Sequence, residues 1–416
     1  MKLNTIGRAT LASIVSLAVG LGITACSRDY VLAYVYATTA KPLAAGSNNG
    51  GVSAYAVDYQ TGSLVPLADS PLAAGKNPVT LVAAPNGLSL YVVNHDDSTV
   101  MQFSIGTDGK LYLKNTINIT GSFPTAAAID TAGKFLYVTF TYQLGPGGQQ
   151  LYSPASPGPG GITVFPINAD GGLGTASTVN VGNNPVAIAI SPVTASAPSY
   201  VYVVDQEASP NATVLGFAQN ASTGALTPTP GTVITTVAGK TVATGYGAGV
   251  APSAIATDAS SRFVYVTDQA TNQVFGNGIG AGGTLVPMNT GPVPTGQLPV
   301  AVTVDPRAKF LYVANNTSGS ISAYAIDQAS GAPVGTAGST STTVGPRPNC
   351  VAIEPALGRY LYTSNNLDNS ISALKLDPHT GALTQVQNTP FPSSGLPTCV
   401  VAVRNGTSHP NQIVNP

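Results

Sequence analysis

The chain has 416 residues and a formal net charge of −1, and Asp, Glu, Lys and Arg together make up only 8% of it. With so few charges and no basic patch, a nucleic-acid partner is excluded, because phosphate recognition needs clustered Lys and Arg. An apolar content of 43% excludes a disordered chain, and 46 glycines with 33 prolines ask for many turns, as an all-β protein of the cell envelope has.

The first segment is a targeting element. Lys2 and Arg8 precede a mostly apolar stretch at 9–23, which is too short for a membrane span. Ile23-Thr24-Ala25-Cys26 then resembles a bacterial lipobox, in which the cysteine is lipidated and becomes the new N-terminus. An ordinary secretory signal with an incidental Cys26 is the alternative. The expected organisation is a signal at 1–25, an anchor linker at 26–29, a folded unit at 30–404 and a tail at 405–416. Ser27 follows the cysteine, and by resemblance to sorting in enteric bacteria this favours the outer membrane or cell surface. The lipid would be the only membrane contact of a monomeric protein.

From residue 30 the chain repeats itself. "YVLAYVYATT" at 30–39 and "GVSAYAVD" at 51–58 alternate apolar and small or polar residues as strands do. Prolines 78, 124, 185, 252, 299, 348 and 397 then each open a unit, mostly after Gly-x-x, as in "GKNP", "GNNP" and "GPRP". Behind each proline runs a short apolar strand such as "VAIAIS" or "VAVTVD". A turn leads to a second strand centred on Tyr91, Tyr137, Tyr202, Tyr265, Tyr312 or Tyr362. A third such as "SISAYAID" and a shorter fourth follow.

Four antiparallel strands repeated at about 45–50 residues predict a β-propeller. The last proline strand, "PTCVVAV" at 397–403, has no successors, and the strand at 30–39 has no inner partner. The C-terminal strand is therefore expected to complete the N-terminal blade, closing a ring of seven and leaving no open edge. Two residues after each proline the side chain is small (Thr80, Ala126, Ala187, Ala254, Ala301, Cys350, Cys399), as crowding toward the axis requires. Cys350 and Cys399 stand at equivalent places on neighbouring inner strands. A bridge between them is conceivable in an oxidising compartment. Parallel side chains and strict bridge geometry instead favour two buried thiols.

"FLYVANNTSGSISAYAID" (310–327) and "GRYLYTSNNLDNSISALKLDPHTGAL" (358–383) resemble the YVTN-repeat and lactonase-type seven-bladed propellers of bacteria, over essentially the whole chain after the signal. The resemblance implies a propeller fold and, as one possibility, hydrolysis of a sugar lactone such as 6-phosphogluconolactone, without a cofactor. The chain departs from that family's habit of Pro-Arg-His at inner-strand starts, reading Pro-Val-Ala, Pro-Ser-Ala, Pro-Asn-Cys and Pro-Thr-Cys instead. Most charge for a phosphorylated sugar is thereby lost.

A polar ring is expected at the mouth of the channel where second strands end and inner strands begin. Three and four residues beyond the tyrosines lie Asn94 and His95, Asp205 and Gln206, Asp268 and Gln269, Asn315 and Asn316, and Asn365 and Asn366, with Asn184, Arg347 and Asn349 nearby. The same residues serve as strand-end turn formers. Long connections at 39–50, 142–160 and 238–249 are expected on the same face. His95, beside Asp96 and Asp97, is the candidate general base or metal ligand, with Arg347 as a second catalytic candidate. His379 lies in a turn and His409 in the tail, and no zinc motif, nucleophile elbow or phosphate loop is present. Asp130, Asp258, Asp305 and Glu354 end inner strands and are expected to organise turns, pairing in places with Lys134, Arg262, Lys309 or Arg359. Three functions follow: a binding module for a small molecule, glycan or protein at the mouth, a lactone hydrolase using His95 and Arg347, or a structural surface or adhesion protein.

Overall fold

Every inner strand begins at or just before its proline, and every second strand is buried on both faces. The computed structural model describes residues 31–406, apart from 44–45, 151, 154–157, 196, 207–211, 238–239 and 337–339. The targeting segment with Cys26, Glu207, and the tail from 407 lie outside these residues.

Seven antiparallel sheets form the ring. Blade 1 comprises Val31–Thr39, Asn49–Asp58 and the strands that follow to Lys76, with Pro397–Arg404 as its inner strand. Blades 2 to 7 have inner strands at Pro78–Ala83, Gly121–Ile129, Pro185–Ile190, Pro252–Thr257, Pro299–Val304 and Pro348–Ile353. The expected clasp is present: Tyr36 pairs with Val401 and Thr38 with Cys399, antiparallel.

A single blade cannot bury both of its faces, and the core follows from that. The seven apolar clusters each lie between two adjacent blades. Tyr312 and Ala314 of blade 6 pack with Leu361 and Leu374 of blade 7, and Leu32 and Val35 of blade 1 pack with Tyr362 and Ile371 of blade 7. Each fully buried large side chain in such a seam contributes roughly 1.5–3 kcal/mol.

One polar bond recurs in every seam. The second-strand tyrosine hydroxyl donates to a glycine carbonyl in the turn between third and fourth strands of the next blade. The seven pairs are Tyr36–Gly109, Tyr91–Gly171, Tyr137–Gly224, Tyr202–Gly283, Tyr265–Gly331, Tyr312–Gly381 and Tyr362–Gly62, at 2.6–3.0 Å. Burial pushes the pKa of these hydroxyls up, so they remain donors across the physiological range.

Three details differ from expectation. Cys350 and Cys399 form a disulfide, with Cα atoms 4.8 Å apart. Inner strands converge at the axis, so equivalent residues on neighbouring blades come within bridging reach, which reasoning from parallel side chains missed. The acidic residues at inner-strand ends do organise turns, but through backbone. Asp258 Oδ1 accepts from Arg262 N and Phe263 N, Asp305 Oδ1 from Lys309 N and Phe310 N, and Glu354 from Ala356, Leu357 and Arg359 N. Arg307 also meets Asp305, at 3.4 Å, and its guanidinium donates to Leu357 O and Gly358 O of the next blade. Finally, the blade 4 insertion starts earlier than 238. A hairpin of Val233–Val237 and Lys240–Thr244 splits the outer strand between Leu226–Pro228 and Tyr246–Gly247.

Candidate active site at the channel mouth

Each blade carries one register shift just after its proline, so that proline opposes the second-strand end and the following residue is extra. The bulge leaves the proline carbonyl without a ladder partner in its own blade. In six of the seven seams a side chain of the preceding blade supplies the bond. Thr398 donates to Pro78 O (2.6 Å), Thr125 to Pro185 O (2.5 Å) and Ser253 to Pro299 O (2.6 Å). Those hydroxyls sit immediately after a proline, and each meets a second-strand threonine, Thr38, Thr139 or Thr267. Where no hydroxyl follows the proline, the amide four residues past the tyrosine does the work. Gln206 donates to Pro252 O (2.8 Å), Asn316 to Pro348 O (3.4 Å) and Asn366 to Pro397 O (3.3 Å).

The residues one place earlier are structural too. Asn94, Asp205, Asp268, Asn315 and Asn365 are completely buried. Asn94 accepts from Gly75 N and donates to Thr99, while Asp205 accepts from Asn184 N. Asp268 accepts from Val250, Ala251 and Ala270 N, and Asn315 and Asn365 donate to serines 320, 322, 370 and 372. They grip the incoming loop and present no surface to the mouth. They also explain the glycine of the Gly-x-x-Pro phrase: a Cβ on Gly345 would lie 2.6 Å from Asn365 Cγ. Asn184 and Asn349 are half-buried, Asn184 donating to Gln206 O and Asn349 accepting from Asn316. Gln269 is half-exposed in blade 5, where Ser253 makes the seam bond.

The seventh seam, between blades 2 and 3, is different. Its bridging position is His95, and among the described residues no side chain of blade 2 donates to Pro124 O. His95 Nδ1 lies 2.7 Å from Asp96 Oδ1, which Asn77 Nδ2 also reaches at 3.2 Å. The imidazole packs against Phe123, the rings tilted by 38° with centroids 5.2 Å apart, and Phe123 meets Tyr142 edge-on at 5.9 Å. Partial burial pushes the Asp96 carboxyl up, but the bonds from His95 and Asn77 outweigh it and hold the group below the ordinary carboxylate range. Asp97 is engaged by Lys76, through the backbone N–H at 2.7 Å and the ammonium at 3.5 Å. With Nδ1 turned to a carboxylate, Nε2 is the ring nitrogen left to accept a proton.

Arg347 is not part of this group. It is exposed and lines an open cleft of about 630 Å³ between blades 6 and 7, with Asn316, Thr317, Ser318, Leu298 and Leu367. By ring order the two seams stand on opposite sides of the mouth. Among the described residues there is no group of three His, Cys, Asp or Glu placed to hold a metal.

Phe123 was not a candidate from the sequence. Counting the residue before each proline gives the signal: Asn77, Phe123, Asn184, Ala251, Leu298, Arg347 and Leu396 form the rim. Five of them, Asn77, Phe123, Leu298, Arg347 and Leu396, have positive φ of 42–57°, a conformation uncommon for any residue but glycine.

Residues 34–187 and 193–353 match the family "Lactonase, 7-bladed beta-propeller". The chain belongs to this lactonase family. Among solved structures, similar ones include a provisionally named 6-phosphogluconolactonase from Bacteroides uniformis (20% identity, 89% of this chain and 99% of that one, TM-score 0.68). Another is the periplasmic gluconolactonase of Pseudomonas aeruginosa (20% identity, 89% and 99%, TM-score 0.66). A third, from Bacteroides fragilis, also provisionally named a 6-phosphogluconolactonase, has 21% identity over 91% and 99% with a TM-score of 0.66. At these identities the likeness shows the fold. No curated protein matches the sequence. Within this lactonase-family chain, the blade 2–3 seam is where the repeating scaffold gives up a structural bond and gains a carboxylate-oriented histidine.

Proposed function

We propose that this protein hydrolyses a sugar lactone at the channel mouth, with His95 as general base. The observation that carries the reading is His95 itself. It occupies the place where Gln206, Asn316 and Asn366 bind the next blade, yet its ring is committed to Asp96 instead. Family membership supplies the reaction class. In the step, Nε2 takes a proton from water as the water oxygen bonds to the acyl carbon. The ring C–O bond then breaks, and the departing alkoxide takes the proton back from the imidazolium, leaving a hydroxy acid. Asp96 fixes the tautomer and stabilises the transient imidazolium. The few charges on the rim favour an unphosphorylated sugar.

The test is hydrolysis of glucono-δ-lactone above the buffer rate by the purified protein, with His95→Ala lowering kcat about 10²-fold or more, the usual worth of a positioned base. Wild-type turnover no faster than buffer across a panel of sugar lactones ends the proposal.

A second reading is favoured by the cleft around Arg347. Leu367, 60% exposed, and Leu298 flank the cation there, well apart from His95. Such a surface suits a ligand, glycan or protein held without chemistry. Loss of ligand retention on Arg347→Ala with lactone turnover unchanged would separate the two.

We infer further that the protein works outside the cytoplasm, held by a lipid on Cys26. The basic start, the lipobox-like run and a disulfide that an oxidising compartment would maintain all support this. Metabolic labelling with a fatty acid, lost on Cys26→Ala, is the expected result.

A further inference from the structure

We propose that Phe123 is the shelf on which the sugar ring lies, positioned so that the lactone carbonyl meets His95. The inference rests on the reading of His95 as the base. Phe123 is half-buried, so part of its ring is open at the mouth while part packs on the imidazole 5.2 Å away. Its backbone is held from two sides. The N–H donates to Ser98 Oγ at 3.1 Å, and the C=O accepts from Thr141 Oγ1 at 3.1 Å. Ser98 belongs to blade 2 and Thr141 to blade 3, so the residue is clamped in the same seam that lacks the proline bridge. The ring is then braced edge-on by Tyr142. The equivalent rim positions are amides, aliphatic residues or Arg347, and Phe123 is the aromatic one among the seven.

The chemistry of this arrangement points to a polyhydroxylated ring. A pyranose or furanose has an apolar face of C–H bonds carrying slight positive charge and a periphery of hydroxyls. An aromatic face carries negative charge at its centre, so the C–H face lies on it. The hydroxyls would then meet the polar groups already at the seam, Asn77, Asp96 and Lys76. Fixing the ring against Phe123 holds the acyl carbon at a set distance from the base, so the shelf acts chiefly in binding and orientation. Phe123 is a positioning and specificity residue in this scheme; the proton transfer belongs to His95.

The chain contains no tryptophan, so Phe123→Trp creates a single fluorescent reporter at the proposed shelf. D-gluconate, the open hydroxy acid, is the probe because it binds without turning over. The expected results are a saturable change in Trp emission on adding gluconate and a kcat/KM of this variant within about 3-fold of wild type for glucono-δ-lactone. For Phe123→Leu, KM should rise at least about 5-fold with kcat within about 2-fold, the pattern of lost binding without lost chemistry. Melting curves confirm that both variants fold. Should Phe123→Trp not fold, saturation-transfer NMR of gluconate on wild type and Phe123→Leu replaces the emission readout. Wild-type turnover together with an unchanged KM in Phe123→Leu and no emission response overturns the shelf and leaves the hydrolase standing. A gluconate response without wild-type turnover keeps the shelf and removes the hydrolase. Neither signal removes both.

Discussion

The hydroxyl of Tyr362 in blade 7 donates to the carbonyl of Gly62 in blade 1 at 2.9 Å, across 300 positions of sequence. The same bond joins every other adjacent pair of blades, so the ring closes with the device that builds it. The cost of losing it is asymmetric. Tyr362→Phe leaves a buried carbonyl unsatisfied and should destabilise by about 1–3 kcal/mol. Gly62→Ala should cost more. Gly62 has φ +76°, and an added Cβ would lie 2.7 Å from Cγ of Tyr360. Urea unfolding monitored by tyrosine emission should rank wild type, Tyr362→Phe and Gly62→Ala in falling order. A Gly62→Ala protein as stable as wild type would refute the account of the turn.

The Cys350–Cys399 bridge fastens blade 7 to the closing strand, next to the clasp. It spans 49 positions, for which the chain-entropy treatment gives about 4 kcal/mol. Reductant should lower the melting temperature of wild type. The double variant Cys350→Ala/Cys399→Ala should melt at that lower temperature with or without reductant. Identical melting of oxidised wild type and the double variant would show that the bridge adds nothing.

Asp268 links loop order to pH. Burial pushes its carboxyl up, but the N–H groups of Val250, Ala251 and Ala270 and the contact with Thr271 together hold it below the ordinary value. A carboxyl whose pKa is lower folded than unfolded gives stability that is fully present above the unfolded value, near 4, and lost as pH falls through the folded one. Asp268→Asn should therefore cost about 1–3 kcal/mol at pH 7, and the gap should close below about pH 4. A gap that stays constant from pH 7 to pH 3 would contradict the linkage.

Seven blades, the clasp and the strand order were legible because a repeat writes the same physical demand seven times. The proline, the second-strand tyrosine and the small residue near the axis each recur at fixed spacing. The mouth was legible only in part, for the same reason. Asn94, Asn315 and Asn365 recur because they build loops, so repetition marked scaffold, while the departure at His95 was the informative signal. Phe123 stayed hidden because its partners, Ser98 and Thr141, come from two blades, and no local pattern registers a contact across a seam. The disulfide was misjudged because strand spacing along the sequence says nothing of how far inner strands converge.

His95→Gln tests both halves of this logic at once. Glutamine at that position would match Gln206, whose amide donates to Pro252 O at 2.8 Å. The variant should supply the missing donor to Pro124 O in the blade 2–3 seam. An added intramolecular hydrogen bond is worth about 0.5–1.5 kcal/mol net, so the variant should be more stable than wild type. It has no basic nitrogen and should lose lactone turnover by about 10²-fold. A gain in stability bought with lost activity is the expected mark of a site that gave up scaffold bonding for chemistry. His95→Gln less stable than wild type would mean that the imidazole, packed against Phe123, is itself the seam's structural bond, and the case for His95 as a base would lose its foundation.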